Sequence, residues 1–409
     1  MKRLHYTLVL AVVLISSALQ AQSWSKLTLD FDSNLYDVTF VNTNVGYVSG
    51  DNGQVFKTVN GGATWVGLNT VVNQGLASIQ FLNENVGYAA SGFFQDYASM
   101  IKTVDGGISW SKINLPASKT GGGMWFVNQN VGFYAYADSL YGNSTIVRTS
   151  NGGTTWDAVY SGTGWISYFS FPTETVGYAT VNNGTILKTT DGGLNWTVLG
   201  LSNALWGSGI SFYTENIGLA GGQPMAGGNA TIFTTNNGGT TWNPIETDAM
   251  IFKISHADLN NVYALSVDSS GKGFMIKSED GGATWEEEDL AETQLRGIQF
   301  LNKDLGYAVG ANGVILKYTE SAGVVVLEKG KNLFLFPNPV SNVLNVTIAD
   351  YESSDNTLHI FNSRGELVKS EALHFATQQL DITDLGQGFY FVQILNNSSI
   401  KTQKLWIAR

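Results

Sequence analysis

Cysteine is absent from the 409 residues. That excludes disulfides, thiolate catalysis, cysteine-ligated metal and a cysteine-based lipid anchor. Proline is scarce, at 6. No window carries the sustained 3.6-residue periodicity of a helical domain. Basic residues are outnumbered, 22 Lys and Arg against 33 Asp and Glu, for a net charge of −11. Such a balance argues against a nucleic-acid or anionic-membrane partner. Long apolar runs are also missing. The stretch from Leu8 to Ala18 is too short to span a bilayer stably, and it follows Lys2 and Arg3. Residues 1–21 therefore read as a secretory signal, with no transmembrane segment expected in the mature chain. What the chain has in quantity is glycine, at 47, and aromatic residues, at 12%. Those suit many short strands joined by tight turns.

One octapeptide organises residues 22–320. It first appears as Thr58-Val59-Asn60-Gly61-Gly62-Ala63-Thr64-Trp65 and recurs ending at Trp110, Trp156, Trp196, Trp242 and Trp285. Its third position is Asn60, Asp105, Asn151, Asp191, Asn237 or Asp280, and only Asn195 departs from Thr or Ser at the seventh. An Asn or Asp oxygen accepts backbone N–H groups two or more residues on. The glycines supply positive φ. The Trp then opens a strand and packs on a neighbour. This makes the repeat a structural turn. Six copies of one catalytic site in one ring would make little sense.

Seven units align on a Gly-Tyr-like pair: Gly46-Tyr47, Gly87-Tyr88, Gly132-Phe133, Gly177-Tyr178, Gly218-Leu219, Val262-Tyr263 and Gly306-Tyr307. Six residues before each stands Phe40, Phe81, Phe126, Phe171, Phe212, His256 or Phe300, with a further apolar residue two places earlier. Period-two placement of this kind predicts a buried innermost strand. The Gly-Tyr segment supplies the second strand, an Ile-Leu-Lys-Thr-like segment the third, and the Trp segment the outer one. A period in the forties then predicts a propeller. The seventh unit lacks its outer strand, and Ser23-Trp24-Ser25-Lys26-Leu27 matches Ser109-Trp110-Ser111-Lys112-Ile113. The fold expected is all-β: a seven-bladed β-propeller whose N-terminal strand, with Trp24, closes the last blade. Closure removes exposed sheet edges.

The octapeptide resembles the Asp-box, or BNR repeat, of sialidases, sortilin-type receptors and some glycoside hydrolases. The longer unit, as in Asn83-Glu84-Asn85-Val86-Gly87-Tyr88 followed by Ile101 to Gly107, is similar to repeats of photosystem II assembly-factor-like propellers. Either resemblance implies a scaffold, since propellers host many unrelated activities.

After Glu320 the pattern stops. Residues 321–332 read as a linker and 333–409 as a small β-sandwich. Its Phe336-Pro337-Asn338-Pro339 opening, its Asn362-Ser363-Arg364-Gly365 turn, its Leu385-Gly386-Gln387-Gly388-Phe389-Tyr390 segment and its basic final strand resemble the type A C-terminal sorting domain of the type IX secretion system. The resemblance implies engagement of that machinery. It also implies passage across the outer membrane of a Gram-negative bacterium, then attachment to the cell surface or release.

The functional candidates lie away from the octapeptide. Its turns and the first-to-second turns share one face. The second-to-third loops and the blade-to-blade connections form the other, and they differ in every unit, which marks a binding face. Trp165 and Trp206 hold equivalent places on neighbouring blades, where other units carry Asn34, Gly75, Thr120, Met250 and Gln294. With Phe93, Phe94, Tyr97 and Tyr141 they form the candidate ligand-binding set for an extracellular glycan or protein, by stacking or as hot spots. Inter-blade packing is the competing role for the two tryptophans.

Sialidase activity is excluded. That family uses three arginines, and this propeller has Arg148 and Arg296 alone. A glycoside hydrolase-like enzyme with an unrecognised carboxylate pair stays open as the alternative. Asp37, Asp96, Asp138, Asp268 and Glu292 are the acids available, with no spacing that pairs them. His256 reads as a satisfied core residue. No catalytic set, metal site or cofactor is expected, and the leading function is a secreted or surface-held binding propeller.

Overall fold

The computed structural model describes residues 23–27, 33–92, 98–116, 120–138, 142–200, 205–224, 230–247, 250–268, 272–288, 290, 294–319, 333–336, 340–348, 356–362, 365–375, 377–396 and 399–408. The expected signal and linker lie outside them. The chain divides into two compact units, parted between Ser321 and Ala322.

In the first unit the described strands form seven four-stranded sheets. We number these blades by their innermost strands: Leu35–Phe40, Ser78–Phe81, Thr120–Phe126, Ile166–Ser170, Leu205–Phe212, Met250–His256 and Leu295–Asn302. Six blades use four consecutive strands. Blade 7 takes its outer strand from Ser23–Leu27, which pairs antiparallel with Ile315–Thr319 and sets Trp24 opposite Tyr318. Each innermost strand packs on the next, and the seventh packs on the first, so the sheets form a ring.

The repeated residues are the joints of this ring. Tyr47 of blade 1 stacks flat on Phe81 of blade 2, with centroids 3.4 Å apart. Phe81 lies so close over Gly87 that a Cβ there would stand 2.5 Å from its ring, which is why that place is glycine. Trp110 meets Phe81 edge-on at 6.0 Å. The Tyr47 hydroxyl donates to the Glu84 carbonyl (3.0 Å), and Lys57 Nζ donates to the Gly106 carbonyl (3.0 Å). The same stack recurs as Tyr88–Phe126, Phe133–Phe171, Tyr178–Phe212, Tyr263–Phe300 and Tyr307–Phe40. Each such pair adds about 0.5–1.5 kcal/mol beyond its area burial. The last stack joins blade 7 to blade 1, where Tyr307 and Lys317 both donate to the Gly61 carbonyl. Trp24 meets Phe300 edge-on at 5.7 Å, as Trp110 meets Phe81. The N-terminal strand thus does the work of the octapeptide strand that blade 7 lacks.

The octapeptide turns consume their own polar groups. In the first, Thr58 Oγ1 accepts the Gly62 N–H (2.9 Å), and Asn60 Oδ1 accepts the Thr64 N–H (2.9 Å). Where the third residue is Asp, a side-chain hydrogen bond from Ser109, Asn195 or Thr284 leads in holding the carboxyl of Asp105, Asp191 or Asp280 down at about 2. The departing copy is made good by Asn195, whose Nδ2 donates to Asp191 Oδ2 at 2.8 Å. These bonds close each turn on itself, which fits a structural role.

The joint between blades 5 and 6 differs. Leu219, Thr234 and His256 stand where other blades have Tyr or Phe, Lys or Arg, and Phe. His256 is buried. Its Nδ1 lies 2.8 Å from Ser211 Oγ, while Nε2 has no partner among the described residues. Burial lowers its pKa to about 4, so the ring is neutral and substitutes for Phe at the price of one unmatched nitrogen.

The second unit holds two sheets. Leu333–Phe336, Val343–Ile348 and Thr377–Asp381 make one, in that order. The other runs Leu367–Leu373, Asn356–Asn362, Gly388–Asn396, Ser399–Ile407. They share one apolar core, which includes Leu335, Leu344, Leu358, Ile360, Val392 and Leu405. That is the small β domain expected.

Candidate functional site

Side chains alternate along each innermost strand. Val38 and Phe40 pack in the core between blades, and Asp37 and Thr39 point the other way. All seven innermost strands line a central cavity of about 610 Å³. That is within the range of about 300–1,000 Å³ common for ligand pockets.

Two rows of residues face it. The first, one residue before the repeated Phe (His256 in blade 6), is Thr39, Gln80, Trp125, Ser170, Ser211, Ser255 and Gln299. Neighbouring innermost strands are not paired as a sheet, so their N–H groups need other acceptors. Gln299 Oε1 accepts the Phe40 N–H (2.5 Å), and Gln80 Oε1 accepts that of Phe126 (2.7 Å). Ser170 and Ser255 do the same for Phe212 (2.9 Å) and Phe300 (3.0 Å). Trp125 stands out from this polar row. It is partly exposed, with its ring offset over Phe171 at 6.4 Å.

The second row, two residues earlier, is Asp37, Ser78, Gly123, Tyr168, Gly209, Lys253 and Gly297. Lys253 Nζ donates to Asp37 Oδ1 at 2.6 Å, with side chains only 21% and 10% exposed. The pair bridges blades 6 and 1 past blade 7. Gly297 makes the approach possible, because a Cβ there would stand 2.7 Å from Asp37 Cα. Asp37 also accepts the N–H groups of Val38 (3.0 Å) and Ile79 (3.2 Å). The same ammonium lies 5.9 Å from the Tyr168 ring centroid. Burial, and then the Asp37 charge, push the Tyr168 phenol far above its ordinary value, so it stays protonated.

At the variable-face end, Arg296 is exposed and its guanidinium lies over Tyr36, 5.1 Å from the ring centroid. The Tyr36 hydroxyl donates to Asp51 Oδ1 (2.5 Å), and Asn34 Nδ2 donates to Asp51 Oδ2 (2.8 Å). Asp51 belongs to the short 3-10 turn Asp51–Gly53 between second and third strands. Burial leads in raising the Tyr36 phenol. Among the described lining residues Asp37 is the sole carboxylate.

The sequence-derived aromatic set is not the group found here. Phe93, Phe94, Tyr97 and Tyr141 lie outside the described residues, as does the side chain of Trp206. Trp165 is 2% exposed, which corrects the expectation of a surface ring at that place. The chain is pinned there to the turn after the second strand. Trp165 N–H donates to Asn182 Oδ1 (2.6 Å), and its carbonyl accepts the Asn182 N–H (2.8 Å). Arg148, the other propeller arginine, is committed to the scaffold: its Nε donates to the Gly192 carbonyl at 2.8 Å.

A family model described as photosynthesis system II assembly factor YCF48 matches residues 16–170. One described as secretion system C-terminal sorting domain matches residues 334–408. None of the curated proteins matches the chain. Among solved structures, YCF48 from Cyanidioschyzon merolae is similar at 22% identity and TM-score 0.58, over 72% of this chain and 98% of that one. A structure titled YCF48 bound to D1 peptide is similar at 20% identity and TM-score 0.57, over 72% and 96%. The GH74 xyloglucanase of Xanthomonas campestris is similar at 11% identity and TM-score 0.58, over 80% and 60%. At these identities the likeness is one of fold. The sorting-domain match points to secretion and the outer surface, and the propeller fold suggests binding. No helix among the described residues is long and apolar enough to cross a membrane.

Proposed function

We propose that the chain is a secreted binding propeller, exported by the type IX machinery of a Gram-negative bacterium and held at the cell surface or released. Its ligand, a glycan or a polypeptide, enters from the variable face and is held in the central cavity. The observation that carries this reading is the chemistry of the cavity wall. Trp125, Tyr168 and the Asp37–Lys253 pair occupy repeat positions where other blades have Ser, Gln, Thr or Gly. The remaining blades are built without an aromatic ring or a charge at those places.

A glycoside hydrolase has less support. Its two carboxylates stand about 5–9.5 Å apart across the scissile bond. Here one carboxylate faces the cavity among the described residues, and a lysine and two backbone N–H groups already hold it.

The binding reading is tested with the chain lacking residues 1–21 on glycan and peptide arrays. Trp125→Ala should weaken any captured ligand by about 1–3 kcal/mol, the scale of an aromatic hot spot. Capture that is indifferent to Trp125 and Tyr168 substitutions would place the site elsewhere. Export is tested separately. Deleting residues 333–409 should leave the propeller inside the cell, and normal extracellular levels of the truncated protein would refute the address.

A further inference from the structure

We infer that Arg296 and Tyr36 form a carboxylate-binding subsite at the variable-face end of the cavity, and that its occupant is an acidic saccharide of the uronate type. The inference rests on the cavity reading above and adds the class of ligand.

Three charged side chains face the cavity among the described residues besides the neutral His256: Asp37, Lys253 and Arg296. Asp37 and Lys253 neutralise each other at 2.6 Å. No second carboxylate lines the cavity to face Arg296 among the described residues, and Asp51 lies beyond the Tyr36 hydroxyl, in a chain of net charge −11. The guanidinium lies over the Tyr36 ring, and that ring is fixed by its hydroxyl's bond to Asp51. A stacked guanidinium keeps its N–H edge for the two oxygens of a carboxylate, and the stacking holds the fork in place beforehand. The nearby acid, Asp51, is oriented by hydrogen bonds from Tyr36 and Asn34, one to each oxygen.

The rest of the wall favours a sugar over a peptide side chain. Ser170 and Ser255 accept strand N–H groups, which leaves each hydroxyl its own proton to donate inward. Thr39, Ser78 and Ser167 add further hydroxyls, and Trp125 supplies a partly exposed ring face. Hydroxyl donors and acceptors around one aromatic face suit a ring with many hydroxyls. The guanidinium at the end of the cavity then selects for a carboxylate on it.

The test is calorimetry on the chain lacking residues 1–21 with trigalacturonate, its methyl ester, and a peptide with a free or an amidated C-terminus. Trigalacturonate should bind at least tenfold more tightly than its ester. Arg296→Gln should remove that preference, and Arg296→Lys should restore part of the affinity but not the full discrimination. Raised salt should weaken the acid and leave the ester nearly unchanged. If acid and ester bind alike, and both lose affinity in Trp125→Ala, the carboxylate subsite is refuted while the cavity reading stands. Binding of the free-acid peptide alone, lost on amidation, would refute the saccharide. No binding of trigalacturonate would overturn the inference outright.

Discussion

A chain that begins at residue 30, without Ser23–Leu27, is expected to lose on the order of 5 kcal/mol of propeller stability and to associate through an open edge. Trp24 packs against Tyr263, Phe300 and Tyr318, with centroids 6.2, 5.7 and 5.3 Å away. Trp24 is partly buried, so its removal is expected to cost toward the lower end of the about 3–5 kcal/mol of a buried Trp. The five paired positions from Ser23–Thr319 to Leu27–Ile315 add ladder hydrogen bonds at roughly 1 kcal/mol each, less for those that water replaces. Loss of the strand also bares Ile315–Thr319 as an edge, which invites pairing with another chain. Leu27 reaches further still: a Cβ on Gly62 would stand 2.8 Å from its Cδ1, so the strand touches the first octapeptide turn. Thermal unfolding and sedimentation check this. A truncated chain that stays monomeric with an unchanged melting temperature would mean that the strand does not close the ring.

The second large effect is expected at Asp37. Asp37→Ala removes the partner of Lys253 and the acceptor of two N–H groups, one of them, Ile79, in the next blade. Leaving one member of a buried pair alone costs about 3–5 kcal/mol, and the partial exposure of Lys253 sets the expectation near 3 kcal/mol. Lys253→Met should cost less, about 1–2 kcal/mol, because Asp37 keeps its backbone donors. The double variant should be no worse than Asp37→Ala alone, since the stranded ammonium is gone. Denaturant unfolding of the four proteins gives the coupling energy. Strictly additive single effects would show that the pair is not a working bridge between blades 6 and 1.

The ring was legible because its joints repeat. The Gly-Tyr pair, the Phe six residues before it and the octapeptide are one interlocked unit, and the ring stack it builds recurs at six of the seven joints. Even the gap after Tyr307 was informative, since Trp24 filled it. The candidate site was less legible for the opposite reason. Agreement among the repeats marks the scaffold, whereas the proposed site lies where they disagree. Asp37, Tyr168 and Lys253 share one register, nine residues before the Gly-Tyr pair, and Trp125 interrupts the row two places on. Reading the odd positions of the innermost strand across all seven units would have found them. Trp165 misled because an aromatic in a connecting segment reads as exposed, whereas hydrogen bonding to Asn182 holds that segment against the blade. Arg296 was counted for sialidase chemistry, and its stacking on Tyr36 depends on the neighbouring blade, which no local pattern records.

The octapeptide turns build the ring, and the cavity wall is the proposed binding surface. The most direct test is array capture by three forms of the chain: unchanged, Trp125→Ala and Asn60→Ala, all well below their melting temperatures. Both variants should lose roughly 1–2 kcal/mol of stability, one through half-buried packing and the other through turn hydrogen bonds. Trp125→Ala should lose the captured ligands, and Asn60→Ala should keep the full pattern. The reverse outcome, binding lost with Asn60 and kept without Trp125, would contradict the account.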